Sequence, residues 1–220
     1  MVTVREIFPG VFMLDNLVAT LNANPGKRVY DERLTKIDGK EYRYWDPFRS
    51  KLAGAIKKGL HEFPFTKDGK ILYLGASTGT TVSHLSDIVG EKGEIYAIEV
   101  AMQVIKRLIE LSDHRSNIIP IHDDANQPNN YKEVGEVDAI YQDVAQPNQV
   151  DILIKNCDMF LKKDGIAMIA IKSQSIDVTK RPDDVFEFAL MELEKYFEIL
   201  EKYKLEPFDK DHLFVVLRKK

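Results

Sequence analysis

The sequence predicts an α/β fold, a mostly parallel seven-stranded sheet with one antiparallel strand, preceded by a small antiparallel β subdomain. Three observations predict it. From residue 71 onward, apolar strand-like runs alternate with segments of helical period, the pattern of a parallel sheet with helices on both faces. The last two strand-like runs are joined by a short turn, which makes one of them antiparallel. Residues 1–45 read as short strands separated by turn chemistry.

Taken in order, strands are expected over 4–8, 11–14 and 17–21, with turns at Pro9-Gly10 and Asp15-Asn16. Asn24-Pro25-Gly26 marks another turn, and Asp38-Gly39 is a hairpin signal. Asp46-Pro47 reads as a helix start, an N-cap acceptor followed by proline at the first helical position. Phe48, Leu52, Ala55, Ile56 and Leu60 would form that helix's apolar stripe. Strands follow near 71–75, 94–99, 117–121, 137–142 and 165–172, and helices near 80–90, 101–112, 148–161 and 183–197. The last helix shows a stripe of Val185, Phe188, Ala189, Leu193, Tyr196 and Phe197. Strands over about 198–204 and 212–218 close the chain. The domain division is therefore 1–46, the β subdomain, and 47–220, the larger α/β domain.

A chain of 220 residues with 44% hydrophobic and 30% charged residues holds one good-sized core and is not disordered. No apolar run approaches the roughly 18 residues of a transmembrane helix, and the start, Met1-Val2-Thr3-Val4-Arg5-Glu6, has no signal-peptide pattern. A lone cysteine, Cys157, excludes an internal disulfide and a cysteine-built metal site. A cytoplasmic protein without a membrane partner is expected. The net charge of −4 is unevenly spread: residues 1–60 hold eleven Lys/Arg against seven Asp/Glu, and the remainder twenty against twenty-eight. Binding nucleic acid would then rely on a local basic patch or a partner, since nonspecific binders are usually basic overall.

The segment Ile71-Leu72-Tyr73-Leu74-Gly75-Ala76-Ser77-Thr78-Gly79-Thr80-Thr81 fits two motif grammars. As Gly-x-Ser-x-Gly it is a nucleophile elbow with Ser77 attacking, and Ser77, Asp143 and His212 follow in the order of an α/β-hydrolase triad. That elbow normally comes after several strands and with an oxyanion segment before it; here it follows the first strand of the α/β region. As the first strand–loop–helix of a Rossmann-like sheet it is a cofactor cradle, and an acidic residue should close the second strand about twenty residues on. Glu99 stands there. Ser77 replaces the middle glycine of Gly-x-Gly-x-x-Gly, which argues against a dinucleotide pyrophosphate. Thr80 and Thr81 open the next helix, where free N–H groups and a hydroxyl can hold a carboxylate. S-adenosyl-L-methionine combines a carboxylate, a ribose and an adenine, which Asp124-Ala125 after the third strand could contact. Another nucleotide ligand on the same core stays open.

Asp143 closes the fourth α/β strand and Lys172 the fifth, at the sheet end where ligands bind. A charge buried there unpaired would be costly, so the two are expected to meet. Lys51 on the preceding helix and His212 at the start of the last strand complete the candidates. Methyl transfer to a ribose 2′-OH would use such a cation, because the weakly acidic hydroxyl must be oriented and its developing charge stabilised. Lys172 fits that role, with Asp143 and Lys51 holding it.

Asp46-Pro47-Phe48-Arg49-Ser50-Lys51-Leu52-Ala53, the Gly75–Thr81 loop, Asp143-Val144-Ala145-Gln146-Pro147-Asn148-Gln149 and Asp211-His212 together resemble the fibrillarin family over nearly the whole chain. The resemblance implies an S-adenosylmethionine-dependent methyltransferase fold and 2′-O-methylation of pre-rRNA and tRNA directed by box C/D guide RNA. It implies cofactor contacts at Thr80, Thr81, Glu99, Val100, Asp124, Ala125, Asp143, Val144, Ala145 and Gln146, and a catalytic set of Lys51, Asp143, Lys172 and His212. It implies a Nop-family scaffold protein and a kink-turn-binding ribosomal-type protein as partners. The glycine-arginine-rich extension of eukaryotic members does not occur in the sequence, so the resemblance is to the archaeal form. Val100 departs from the family, which often has an aromatic there; less packing against adenine is expected. A stand-alone small-molecule methyltransferase and a non-catalytic ribonucleoprotein subunit are the competing readings.

Overall fold

The structure, a computed structural model, describes residues 2–220. Its first sheet is antiparallel and has five strands, β1 (Val4–Phe8), β2 (Val11–Leu14), β3 (Leu17–Leu21), β4 (Leu34–Ile37) and β5 (Lys40–Tyr44), ordered β1-β2-β3-β5-β4. The Asp38-Gly39 turn between β4 and β5 has both residues at positive φ, 50° and 75°, as the twist of a two-residue hairpin requires.

The second sheet contains β6 (Lys70–Leu74), β7 (Glu94–Glu99), β8 (Ile118–His122), β9 (Val137–Gln142), β10 (Leu161–Lys172), β11 (Phe197–Lys204) and β12 (His212–Lys219), in the order β11-β12-β10-β9-β6-β7-β8. Only β12 runs against the rest, pairing antiparallel with both β10 and β11. The reversed strand therefore lies one in from the edge rather than at it, and β11 takes the edge. The helices are α1 (Lys51–Lys57), α2 (Thr80–Val89), α3 (Met102–Ser112), α4 (Gln149–Phe160), α5 (Ser173–Ile176) and α6 (Pro182–Leu193), with a 3₁₀ turn over Pro128–Val134. The short α5 and the 3₁₀ turn carry too few residues to show a period in the sequence.

The central strands are buried on both faces, so their side chains alternate between two cores. Ile71 and Tyr73 of β6, Tyr141 of β9 and Phe214 and Val216 of β12 join one; Leu72, Leu74, Ile140, Leu213 and Val215 join the other. Val11, Val18 and Trp45 of the N-terminal region sit in the first of these with Leu52, Leu85 and Ile88, so the small sheet closes over one face of the large one.

Two expected helices differ. The first begins at Lys51 instead of near Asp46. Asp46 Oδ1 captures the N–H of Phe48 at 2.9 Å, making a side-chain turn, and Ser50 is the cap, its Oγ accepting from the Ala53 N–H at 3.4 Å. Phe48, expected in the buried stripe, is 65% exposed. The last helix ends at Leu193, and its buried face is Val185, Phe186, Ala189 and Leu193. Phe188 lies about a third of a turn off the centre of that face and is exposed, as is Tyr196, while Phe197 is buried as part of β11.

Candidate active site at the carboxyl ends of the parallel strands

From β6 the chain winds outward through β7 and β8 in one direction and through β9 and β10 in the other, so the sheet's switch point lies between β6 and β9. Open α/β sheets bind ligands at that point, beyond the carboxyl ends of the strands. An open cleft of about 240 Å³ is found there.

The Gly75–Thr81 loop forms one wall. Gly75 has φ +80°, and a Cβ on it would stand 2.6 Å from the Asp143 carbonyl oxygen; Gly79 has φ +89°, and its Cβ would stand 2.6 Å from Leu111 Cδ2. Both positions need glycine for conformation, and Gly75 also for space, because its neighbour is backbone rather than a movable side chain. Ser77, where a middle glycine was missing, adopts the left-handed conformation itself, with φ 52°. Its N–H donates to Glu99 Oε2 at 2.8 Å, while Glu99 Oε1 accepts from the Ala101 N–H at 2.8 Å. Each carboxylate oxygen keeps a further lone pair for a hydroxyl. Among the described residues no hydrogen bond joins Ser77 to Asp143 or His212, so the nucleophile triad is not assembled.

Glu99, Val100, Ala125, Asp143, Val144, Ala145, Gln146 and Lys172 line the cleft. Thr80 and Thr81 lie at the start of α2 outside this lining, with Thr81 Oγ1 bonded to Ser50 Oγ at 2.9 Å. The carboxylate of Asp124 turns away to accept from the Asn126 N–H at 2.9 Å, and it is Asp123 that lines the cleft.

Beside the cleft, charged side chains form one chain of contacts. Lys172 Nζ is 2.9 Å from Asp143 Oδ1, off the hydrogen-bonding direction, and donates to the Asp143 carbonyl at 3.4 Å. Lys51 Nζ lies 3.2 Å from Asp143 Oδ2 and 3.3 Å from Asp209 Oδ2. His212 Nδ1 lies 3.0 Å from Asp209 Oδ1 and 2.6 Å from the Lys210 carbonyl. Both neighbours are acceptors, so Nδ1 carries the hydrogen. Lys172 and His212 face each other across β10 and β12. Burial pushes the Asp143 carboxyl upward, but the Lys51 and Lys172 ammonium groups outweigh it and hold the group below the usual carboxylate range. Burial presses Lys51 down, and Asp143 and Asp209 more than reverse it.

The four expected catalytic residues thus meet, and a fifth, Asp209, links two of them. In the sequence Asp209 is one more acidic residue in a turn, with no period or spacing to single it out. Gln149 was missed as well: buried, it accepts from the Lys172 N–H at 2.9 Å and donates to the Lys172 carbonyl at 3.3 Å, pinning the end of β10.

A seven-stranded sheet with a reversed β12, a glycine-bounded loop after β6 and a carboxylate closing β7 define the fold of S-adenosylmethionine-dependent methyltransferases. The Fibrillarin family model matches residues 2–220, and the chain belongs to that family. It is 50% identical over 221 residues to the fibrillarin-like rRNA/tRNA 2′-O-methyltransferase of Pyrococcus furiosus, covering 98% of this chain and 97% of that protein. The structure of Aeropyrum pernix fibrillarin in complex with natively bound S-adenosyl-L-methionine is similar at a TM-score of 0.87 and 42% identity, covering 99% of this chain and 100% of that one. A fibrillarin/Nop5p complex gives a TM-score of 0.90 at 42% identity, covering 98% of this chain and 100% of that one. No helix of the described residues is long and apolar enough to cross a membrane.

Proposed function

We propose that this chain is the catalytic subunit of a cytoplasmic box C/D ribonucleoprotein, transferring methyl groups from S-adenosylmethionine to ribose 2′-OH groups of pre-rRNA and tRNA. Residues 47–220 form the transferase domain and 1–46 a covering β subdomain. The observation that carries the reading is the Lys172–Asp143–Lys51 arrangement beside the cleft, a fixed cation at the edge of a nucleoside-sized site.

The donor set fits the cofactor. Glu99 has lone pairs to spare for ribose hydroxyls, Val100, Ala125 and Val144 offer apolar surface to a base, and the glycine at 75 lets the loop approach the Asp143 backbone. Thr80 and Thr81 open α2, and the free N–H groups of that first turn would receive the carboxylate of the amino-acid end. Bound S-adenosylmethionine supplies an electrophilic methyl on a sulfonium that leaves as a neutral thioether. The chain's residues do the rest. Lys172 directs its ammonium at the 2′ oxygen and stabilises the charge that develops there as the hydroxyl proton leaves to water. Asp143, held anionic between two ammonium groups, is a weak base; its part is to hold Lys172. Lys51 holds Asp143 in turn, Asp209 holds Lys51, and His212 Nδ1 holds Asp209.

Sequence specificity comes from base pairing with the guide, and a Nop-family scaffold with a kink-turn-binding ribosomal-type protein supplies RNA affinity beyond what an acidic chain provides by itself. The test is methyl transfer in the reconstituted complex with two guides that pair one nucleotide apart on the same target. The methylated position is expected to move with the guide. Transfer that ignores the guide, or that proceeds on a free small molecule instead, would contradict the reading.

A further inference from the structure

Resting on that reading, we infer that an arginine groove between the N-terminal sheet and α3 is the track for the RNA backbone beside the methylated nucleotide. Two clefts, of about 430 Å³ and about 450 Å³, share Tyr30, Asp31 and Arg49 and so run into each other. One continues past Arg33, Tyr44 and Trp45, the other past Arg28, Arg107 and His114. The second reaches Thr78 of the cofactor loop, and Arg49 stands two residues before Lys51, so the groove meets the active site at one end.

The charges in it are uncompensated. Of the chain's nine arginines, Arg43, Arg115, Arg181 and Arg218 are in ion pairs with carboxylates. Among the described residues the other five make none, and four of those five line this groove, all exposed: Arg28, Arg33, Arg49 and Arg107. Asp31, Asp46 and Glu110 line it too without approaching any guanidinium to ion-pair distance, and Glu32 is taken by Arg43. Two of the arginines rest on aromatic rings, Arg33 3.9 Å above Tyr44 and Arg49 5.5 Å above Tyr30. Such stacking orders the planar fork while leaving its donors free, a state suited to bidentate contact with phosphate. This also accounts for the charge asymmetry: the basic N-terminal quarter supplies three of the four arginines, so an acidic chain can present a basic strip where the substrate must lie.

The experiment compares the full chain with Arg33→Gln/Arg107→Gln in the reconstituted ribonucleoprotein, measuring kcat and the RNA KM from 50 to 300 mM salt, with S-adenosylmethionine affinity and complex assembly alongside. Both side chains are exposed and in no ion pair, so melting should fall little, by no more than the lost Arg33–Tyr44 contact contributes. The inference predicts an RNA KM raised about ten-fold at moderate salt, kcat and cofactor affinity unchanged, and a log KM against log salt slope shallower by about 1 to 2, as expected for two lost phosphate contacts. Arg33→Lys/Arg107→Lys keeps the charges and is expected to restore most of the slope. An active wild type with the same KM and slope in both variants overturns the inference while leaving the proposed function standing. Loss of assembly with unchanged RNA affinity overturns it in favour of a protein partner in the groove. No transfer by the wild type overturns the proposed function, and this inference with it.

Discussion

Lys172 ends a strand whose preceding residues, Ile169, Ala170 and Ile171, are fully buried, and it is tolerated there because Asp143 is already waiting at the end of the neighbouring strand. The pair is only 17% and 18% exposed, so each charge depends on the other. Lys172→Ala is expected to lower kcat by at least about 10²-fold, the usual scale for removing one group that stabilises a developing oxyanion, and to leave S-adenosylmethionine affinity largely intact by calorimetry. A large loss of affinity instead would make Lys172 a binding residue. Gly75→Ala should be severe for a different reason: its Cβ would overlap the Asp143 carbonyl at 2.6 Å, and φ +80° strains any side chain. A stability loss of about 1–3 kcal/mol in urea unfolding is expected, together with loss of cofactor binding; near wild-type binding would mean that the loop is not the cradle. At this scale most of the site was legible. Asp143, Lys172 and Glu99 announce themselves as charges at the ends of apolar strands. Asp209 does not, because Lys51, the cation it holds, lies 158 positions earlier in the chain (51 against 209) and only folding brings the two together.

Between elements, the N-terminal sheet is tied to α2 by charges with almost no exposure. Arg43 of β5 pairs with Glu32 at 2.7 Å and with Asp87 of α2 at 2.9 Å, and Arg115 reaches Asp87 at 2.7 Å. Asp87→Ala leaves two buried guanidinium groups without that partner and is expected to cost about 3–5 kcal/mol, measured by urea denaturation; a cost under 1 kcal/mol would show that the network is not what joins the two. His84 sits in the same place, stacked on Trp45 at 4.7 Å. Thr20 donates to Asp87, so His84 Nδ1–H must donate to Thr20, and Nε2 accepts from Tyr30. That relay needs a neutral ring. Burial first, then the charges of Arg43 and Arg115, push its pKa well below 6.5. A depressed folded pKa means that the unfolded chain takes up the proton first, so this contribution is complete above pH 7 and declines as pH falls through 6.5. About 1 kcal/mol should be lost between pH 7.5 and 5.5 from this group, and the His84 ring resonances should not titrate across that range. A ring that titrates near 6.5 would contradict the relay. None of this network was legible beforehand. Arg43, Glu32 and Asp87 look like ordinary surface charges, and burial of a strand's polar face against a helix is a tertiary fact. The displaced start of α1 has a related cause: Asp46 and Ser50 are both good caps, and local chemistry alone does not decide between them.

For the whole molecule, the architecture was the most legible level because the period-2 and period-3.6 patterns are long and alternate regularly. The order of strands was not, and neither was the position of reversed β12 between β10 and β11, since pairing partners leave no mark on either sequence run. That order matters functionally: it sets His212 opposite Lys172 and places the turn carrying Asp209 against Lys51. The carboxyl ends of one sheet thereby assemble a cofactor cleft and an anchored cation, with a strip of exposed arginines alongside.

The most direct measurement of the central claim is transfer of labelled methyl from S-adenosylmethionine to a guide-matched RNA in the reconstituted complex, beside the same RNA with 2′-deoxyribose at the target nucleotide. The structure predicts full labelling of the first, at the 2′ oxygen, and none of the second. Label on the 2′-deoxy RNA would place the methyl on a base and contradict the role given to Lys172.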